Sequence, residues 1–192
     1  MIKSLSLASL LLLASISPSW AVEVANVDIP NKIQTIKNEL DLKGAGVREK
    51  FFVDLYVAGL YLPSERKNQN KLDGVEISKS DEHMAIKLHI ISKLITSERM
   101  VETTREGFNK SIGQDWGELS ATINDFISVF SDEIQLNDVY DLVYEKGVGT
   151  KVFKNGKLAK KIPGLDFKTA LFGVWLSDQP VQKSLKKKML GS

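Results

Sequence analysis

The chain has 192 residues, with 26 basic and 24 acidic side chains, two histidines and no cysteine. Its near-neutral charge gives no electrostatic footprint for nucleic acid, and the missing thiols exclude disulfides, thiolate metal sites and cysteine nucleophiles. The length suits one leader and one domain built on one core.

Residues 1–21 have the plan of a cleavable secretory leader: Lys3, an apolar stretch from Leu5 to Ile16, and the small residues Ser19 and Ala21. The stretch falls short of the about 20 apolar residues that a membrane span needs. Cleavage after Ala21 and export to the periplasm are therefore expected, leaving 22–192 as a single domain. Roughly alternating segments at 22–27 and 33–42 read as strands, and Gly44-Ala45-Gly46 interrupts the pattern. Residues 51–62 put Phe52, Tyr56, Ala58, Leu60 and Leu62 on one face and Phe51, Val53, Leu55, Val57 and Tyr61 on the other. Both faces are apolar, which predicts a central strand covered on two sides. The polar stretch 64–70 reads as a loose loop.

Residues 83–91 alternate again, with Met84, Ile86, Leu88 and Ile90 facing the core and His83, Lys87 and His89 facing the other way. The period then becomes helical: Thr96 or Ser97 is an N-cap, and Met100, Thr104 and Phe108 recur at four-residue spacing. A second helix carries Leu119, Ile123, Phe126, Ile127 and Phe130. Segments 138–146 and 150–154 read as strands joined across Gly147-Val148-Gly149. Asn155-Gly156 is the residue pair that a two-residue type I′ hairpin turn demands. Asp166 can cap a helix bearing Phe167, Leu171, Val174 and Trp175. Asp178 and Pro180 can start a last helix, which ends at Gly191 with Lys186, Lys187 and Lys188 as its solvated end. Strands, two helices, strands and two helices make an α+β domain with a mostly antiparallel sheet and helices packed on it.

The run from Gly44 through Arg48 and Tyr56 to Leu62 resembles the signature of bacterial chalcone isomerase-like proteins. Residues 162–167 and 171–178, with Lys183-Ser184-Leu185-Lys186 after them, resemble the helical end of the same group. The resemblance implies a large antiparallel sheet with helices against one face, an open-faced sandwich, and a cleft between sheet and helices. In plant isomerases that cleft closes a chalcone into a flavanone; plastid relatives bind fatty acids and fungal mitochondrial relatives bind haem. The fold alone does not choose among these.

By motif, Arg48 corresponds to the family arginine that meets the ligand's anionic oxygen, and a guanidinium offers paired donors to a carboxylate or phenolate. Without the family it reads as a solvated charge at a hairpin end. Tyr56 stands where the catalytic isomerases carry a threonine, and in fatty-acid-binding relatives a tyrosine in this region joins the arginine on the ligand carboxylate. Its other reading is core. On one straight strand the two would lie roughly 26 Å apart, at about 3.3 Å per residue, so a shared site requires a turn near Glu49-Lys50. Thr104 and Val174 complete the expected ligand-binding set; Thr103, Arg105, Trp116 and Trp175 are further candidates for the cleft.

The catalytic isomerases also use a tyrosine and an asparagine from the segment matching the helix after Ser97, and residues 97–108 contain neither. Without groups that polarise the ketone and place the phenolate, the differential transition-state binding behind cyclisation is missing. No catalytic residue is assigned. The expected function is non-catalytic binding of a small apolar ligand with an acidic head, such as a fatty acid. The alternatives are an intramolecular lyase or isomerase acting on an unknown substrate, and haem in the same cleft. His83 and His89 lie about 20 Å apart on a strand, too far for one metal ion, although either alone suits an axial haem ligand.

Overall fold

The computed structural model describes residues 21–35 and 38–192; except for Ala21, the expected leader lies outside them. Two short strands, β1 (Ala21–Val24) and β2 (Val27–Pro30), pair as a hairpin. Then β3 (Lys32–Gln34), β4 (Glu39–Lys50), β5 (Val53–Leu62), β6 (Met84–Ile90), β7 (Val139–Glu145), β8 (Gly149–Lys154) and β9 (Lys157–Ile162) form a seven-stranded sheet in chain order. Every neighbouring pair in it is antiparallel. Helices α1 (Ser64–Lys67) and α2 (Gly74–Lys79) follow β5; α3 (Ser97–Ile112) and α4 (Ser120–Ile127) follow β6; α5 (Leu165–Leu176) and α6 (Lys183–Met189) close the chain.

Several boundaries differ from those expected, each for a local reason. The segment read as one strand at 33–42 is a hairpin, with Ile33 opposite Leu40. Gly44-Ala45-Gly46 does not end the strand: β4 continues through it, with a register shift against β5 between Leu42 and Gly44. The glycines are there because α6 lies on the strand, where a Cβ at Gly44 would overlap the Lys188 carbonyl oxygen and one at Gly46 would sit 2.8 Å from Lys188 Cδ. Lys188 is thus a packing residue as well as a helix-end charge, and Lys186 donates to the Ser177 carbonyl at 2.9 Å. Part of the supposed loop 64–70 is α1. The N-cap of α5 is Gly164 at φ 99°, with Asp166 inside the first turn, and α6 starts after Gln182, beyond Asp178 and Pro180.

Other expectations hold. Thr96 caps α3, its hydroxyl accepting from Arg99 N at 3.3 Å. Asn155 and Gly156 take φ 50° and 76° between the paired residues Lys154 and Lys157, as a type I′ hairpin requires.

The sheet has two covered faces. On the first, Tyr56, Ala58, Leu60 and Leu62 join Met84, Ile86, Leu88 and Ile90 under the helices. On the second, Val57 and Tyr61 pack with Val27, Ile29, Leu40 and Leu42 beneath the small β1–β2 hairpin. Most of α5 is buried, from Phe167 to Leu176, as befits a helix that is apolar all round. It sits between the sheet and its neighbours α2 and α3.

One polar residue on α5 explains how α2 is held. Lys168 is fully buried, and its ammonium donates to the carbonyls of Ile77, Ser78 and Ser80 at 2.9, 2.9 and 2.6 Å. Burial pulls its pKa down to about 8, against the opposing pull of Glu82 and Asp81, so at neutral pH it still carries the three protons that three carbonyls need. Lys168→Met leaves those carbonyls without a donor. It is expected to lower stability by about 2–4 kcal/mol, read as a drop in the urea midpoint at unchanged m-value. Gly44→Ala is expected to cost about 1–3 kcal/mol in the same measurement by lifting α6 from β4.

Candidate functional site

The chain reverses after β4 in a two-residue turn, Phe51-Phe52, between the paired residues Lys50 and Val53. The turn that Arg48 and Tyr56 need in order to meet is therefore present, two residues later than the expected position at Glu49-Lys50. It places Arg48 directly opposite Tyr56 across the β4–β5 ladder, and cross-strand neighbours hold their Cβ atoms about 5 Å apart. Between Arg48↔Tyr56 and Glu49↔Asp54 the register slips, leaving Leu55 as an extra residue on β5. Such a bulge re-aims side chains, and here Leu55 and Tyr56 both line the same cavity.

That cavity has a volume of about 370 Å³ and lies between the first face of the sheet and the helices. All four expected residues, Arg48, Tyr56, Thr104 and Val174, line it. Its floor is Phe126 and Phe130, part of an aromatic cluster in which Phe126 meets Phe130 and Phe167 at centroid separations of 5.6 Å. The wall from α3 contributes Met100 and Thr103. Among the further candidates, Thr103 and Trp175 belong to the lining, whereas Arg105 stacks over Trp116 at 5.7 Å and Trp116 bonds to Asn109 Oδ1 at 3.0 Å, both outside it.

The lining also carries the charged side chains Arg48, Lys50, Arg99, Glu102, Glu106 and Lys110. Arg48 Nη1 donates to Gln182 Oε1 at 3.2 Å and to the Glu49 carbonyl. The same Gln182 oxygen accepts from Glu49 N at 2.9 Å. Arg48 makes no ion pair with a carboxylate among the described residues, so its charge is balanced only by neutral acceptors there. Tyr56 is buried at 8 % exposure, and its hydroxyl accepts from Trp175 Nε1 at 3.1 Å, which leaves the phenolic proton available to donate. Burial raises the Tyr56 pKa, more than the Trp175 hydrogen bond and the nearby Arg48 charge lower it. The phenol thus stays neutral and a donor at ordinary pH. Across the mouth, Lys50 Nζ reaches Glu106 Oε2 on α3 at 3.4 Å.

Gln182 and Lys50–Glu106 escaped the sequence reading. Gln182 precedes α6 without capping it, because its amide is committed to Arg48, Glu49 and Ser184. No local motif announces a contact across 134 residues of chain. Neither histidine lines the cavity: His89 Nε2 lies 3.4 Å from Asn137 Oδ1, and His83 Nδ1 accepts from Lys146 N at 3.4 Å. Among the described residues no three His, Cys, Asp or Glu side chains gather as a metal site, and no helix is long and apolar enough to cross a membrane.

The fold has a counterpart in the crystal structure of an Arabidopsis thaliana fatty-acid binding protein. The two share 18 % identity at a TM-score of 0.66, with the match covering 86 % of this chain and 92 % of that one. At that identity the likeness shows the fold. No curated protein sequence is significantly similar. The sequence matches the description "Chalcone isomerase-like" over residues 21–191, nearly all of the domain, with the sheet, the helices on its first face and the cleft between them in place; the chain belongs to the chalcone isomerase-like family.

Proposed function

We propose that this protein is a non-catalytic binding protein which holds a small apolar ligand with an acidic head, a fatty acid or its like, in the cavity between sheet and helices. One observation carries the reading: Arg48, without a carboxylate partner among the described residues, faces a neutral tyrosine donor across one strand pair at the edge of a largely apolar cavity. A carboxylate placed between them would accept a charge-assisted pair from the Arg48 guanidinium and one bond from the Tyr56 hydroxyl. Gln182 holds the arginine by one nitrogen and leaves its other donors for the ligand. The chain of the ligand would run over Leu55, Met100, Phe126 and Phe130, whose cavity falls in the usual size range for small-molecule sites. The fatty-acid binding activity named for the Arabidopsis relative agrees with this assignment.

The non-catalytic part rests on chemistry. Tyr56 is held with its pKa raised by burial and serves as a donor, not a base. Thr103 Oγ1 is committed to the Arg99 carbonyl at 2.8 Å. No histidine or carboxylate stands beside Tyr56 among its hydrogen-bond partners to move a proton. Haem held by His83 or His89 has no comparable support, since neither reaches the cavity lining. We assign the protein to the periplasm on the leader of residues 1–21.

Arg48→Ala is expected to weaken binding of a fluorescent fatty-acid analogue at least tenfold, with Arg48→Lys intermediate because an ammonium cannot form the paired contact. Tyr56→Phe is expected to weaken it roughly threefold to tenfold, for one lost hydrogen bond. Equal affinities in wild type and Arg48→Ala, by titration and by native mass spectrometry, would sink the assignment. For localisation, Edman sequencing of the protein from a periplasmic fraction is expected to start at Val22. Retention in the cytoplasm with Met1 intact would refute it.

A further inference from the structure

The chain contains two β-hairpins on the large sheet with the same two-residue turn and opposite chemistry. Lys154 pairs with Lys157 around Asn155-Gly156, the residues that positive φ favours. Lys50 pairs with Val53 around Phe51-Phe52, at φ 52° and 63°, a region bulky side chains avoid. Those phenylalanines are also 84 % and 98 % exposed. Backbone preference and the hydrophobic effect both act against this arrangement, and strain of that kind collects at functional positions.

The place is informative. Phe51 borders the mouth of the cavity, and so does Leu94, a further large apolar side chain, 50 % exposed, on the loop after β6. That loop leaves the same end of the sheet, since Ile91 N bonds to the Leu55 carbonyl at 3.0 Å. The two rings together expose roughly 400 Å², about half of the about 800 Å² per partner that a stable protein interface buries. That area is small for a second copy of the chain and enough for side chains that enter the headgroup boundary of a bilayer.

We infer that Phe51 and Phe52 form a tip that inserts into a lipid bilayer surface and presents the mouth of the cavity to the membrane, from which an apolar ligand is collected or to which it is delivered. The rim is of mixed charge: Glu49 stands opposite Asp54 beside the turn, Lys50 pairs with Glu106, and Arg99 donates to the Leu94 carbonyl. The contact is therefore carried by the aromatic rings and depends little on salt. This inference rests on the proposed ligand class only for the purpose of the contact; docking itself needs no bound ligand.

The test is flotation of the protein, purified as the cell processes it, with vesicles of phosphatidylethanolamine and phosphatidylglycerol at three to one. Wild type is compared with Phe52→Asp. Phe52 is outside the cavity lining, and aspartate tolerates positive φ better than phenylalanine, so the variant keeps the fold and the affinity for the fluorescent fatty-acid analogue in solution. Both carry the same N-terminus, so any affinity from a retained leader cancels. The expected result is vesicle binding at least tenfold weaker in the variant and nearly unchanged by 0.5 M salt. Equal vesicle binding by the two proteins, or none by wild type, overturns the inference. So does a dimer in sedimentation velocity that Phe52→Asp dissolves, since the tip would then serve a second copy. If neither protein takes up the analogue but the vesicle difference persists, docking stands and the ligand assignment falls.

Discussion

Helix α6 lies so close on β4 that the strand can carry no side chain at Gly44 and only glycine again at Gly46. This contact decides how far the helical layer can approach the sheet at one end and, by consequence, where it must stand away. Beyond Gly46 the next residue on the same face of β4 is Arg48, and the sheet there is faced by the cavity instead of a helix backbone. The N-terminal end of α6 delivers Gln182 to Arg48 and to the Glu49 amide. A backbone contact on one stretch of strand thus fixes the orientation of Arg48, one of the charged groups on the cavity lining.

The remaining walls follow from ordinary packing. Because α5 is apolar all round, it cannot be a surface helix and is driven between sheet, α2 and α3. Lys168 is the exception within it, and its three carbonyl partners tie α2 to that central helix. Trp175, two turns later on the same helix, meets Tyr56. A single helix therefore carries both the clamp that orders the layer and the partner that orients the phenol. The aromatic floor keeps the cavity open from below, since rings packed at tilted and edge-on angles cannot collapse into it without losing their own contacts.

The Phe51-Phe52 turn serves the site twice. Its tightness is what brings Arg48 opposite Tyr56, and Phe51 forms part of the exposed apolar edge of the mouth. The Lys50–Glu106 pair ties the same hairpin to α3, so the tip and the opposite wall of the mouth are linked by one solvent-accessible ion pair. Such a pair is worth little in stability.

Periodicity in the sequence determined the strands flanking the core, the helix from Ser97, the presence of a helix bearing Phe167 to Trp175, and the Asn155-Gly156 turn, because those signals are local: side-chain alternation, an N-cap hydroxyl, a residue pair suited to positive φ. The motif around Arg48 and Tyr56 is local too, since both residues lie on one hairpin. What the sequence could not determine were the features that depend on chain brought in from far away. Gly44-Ala45-Gly46 read as a break since glycine usually marks one, and only the arrival of α6 explains it as a continuous strand. Phe51-Phe52 read as strand because both residues favour it, whereas the pairing of Lys50 with Val53 forces them into a turn. Gln182, Trp175 against Tyr56, and Lys168 under α2 have no sequence signature, since each acquires its role from a partner about 90 or more residues away. Those contacts, and the cavity they enclose, were decided by the tertiary structure.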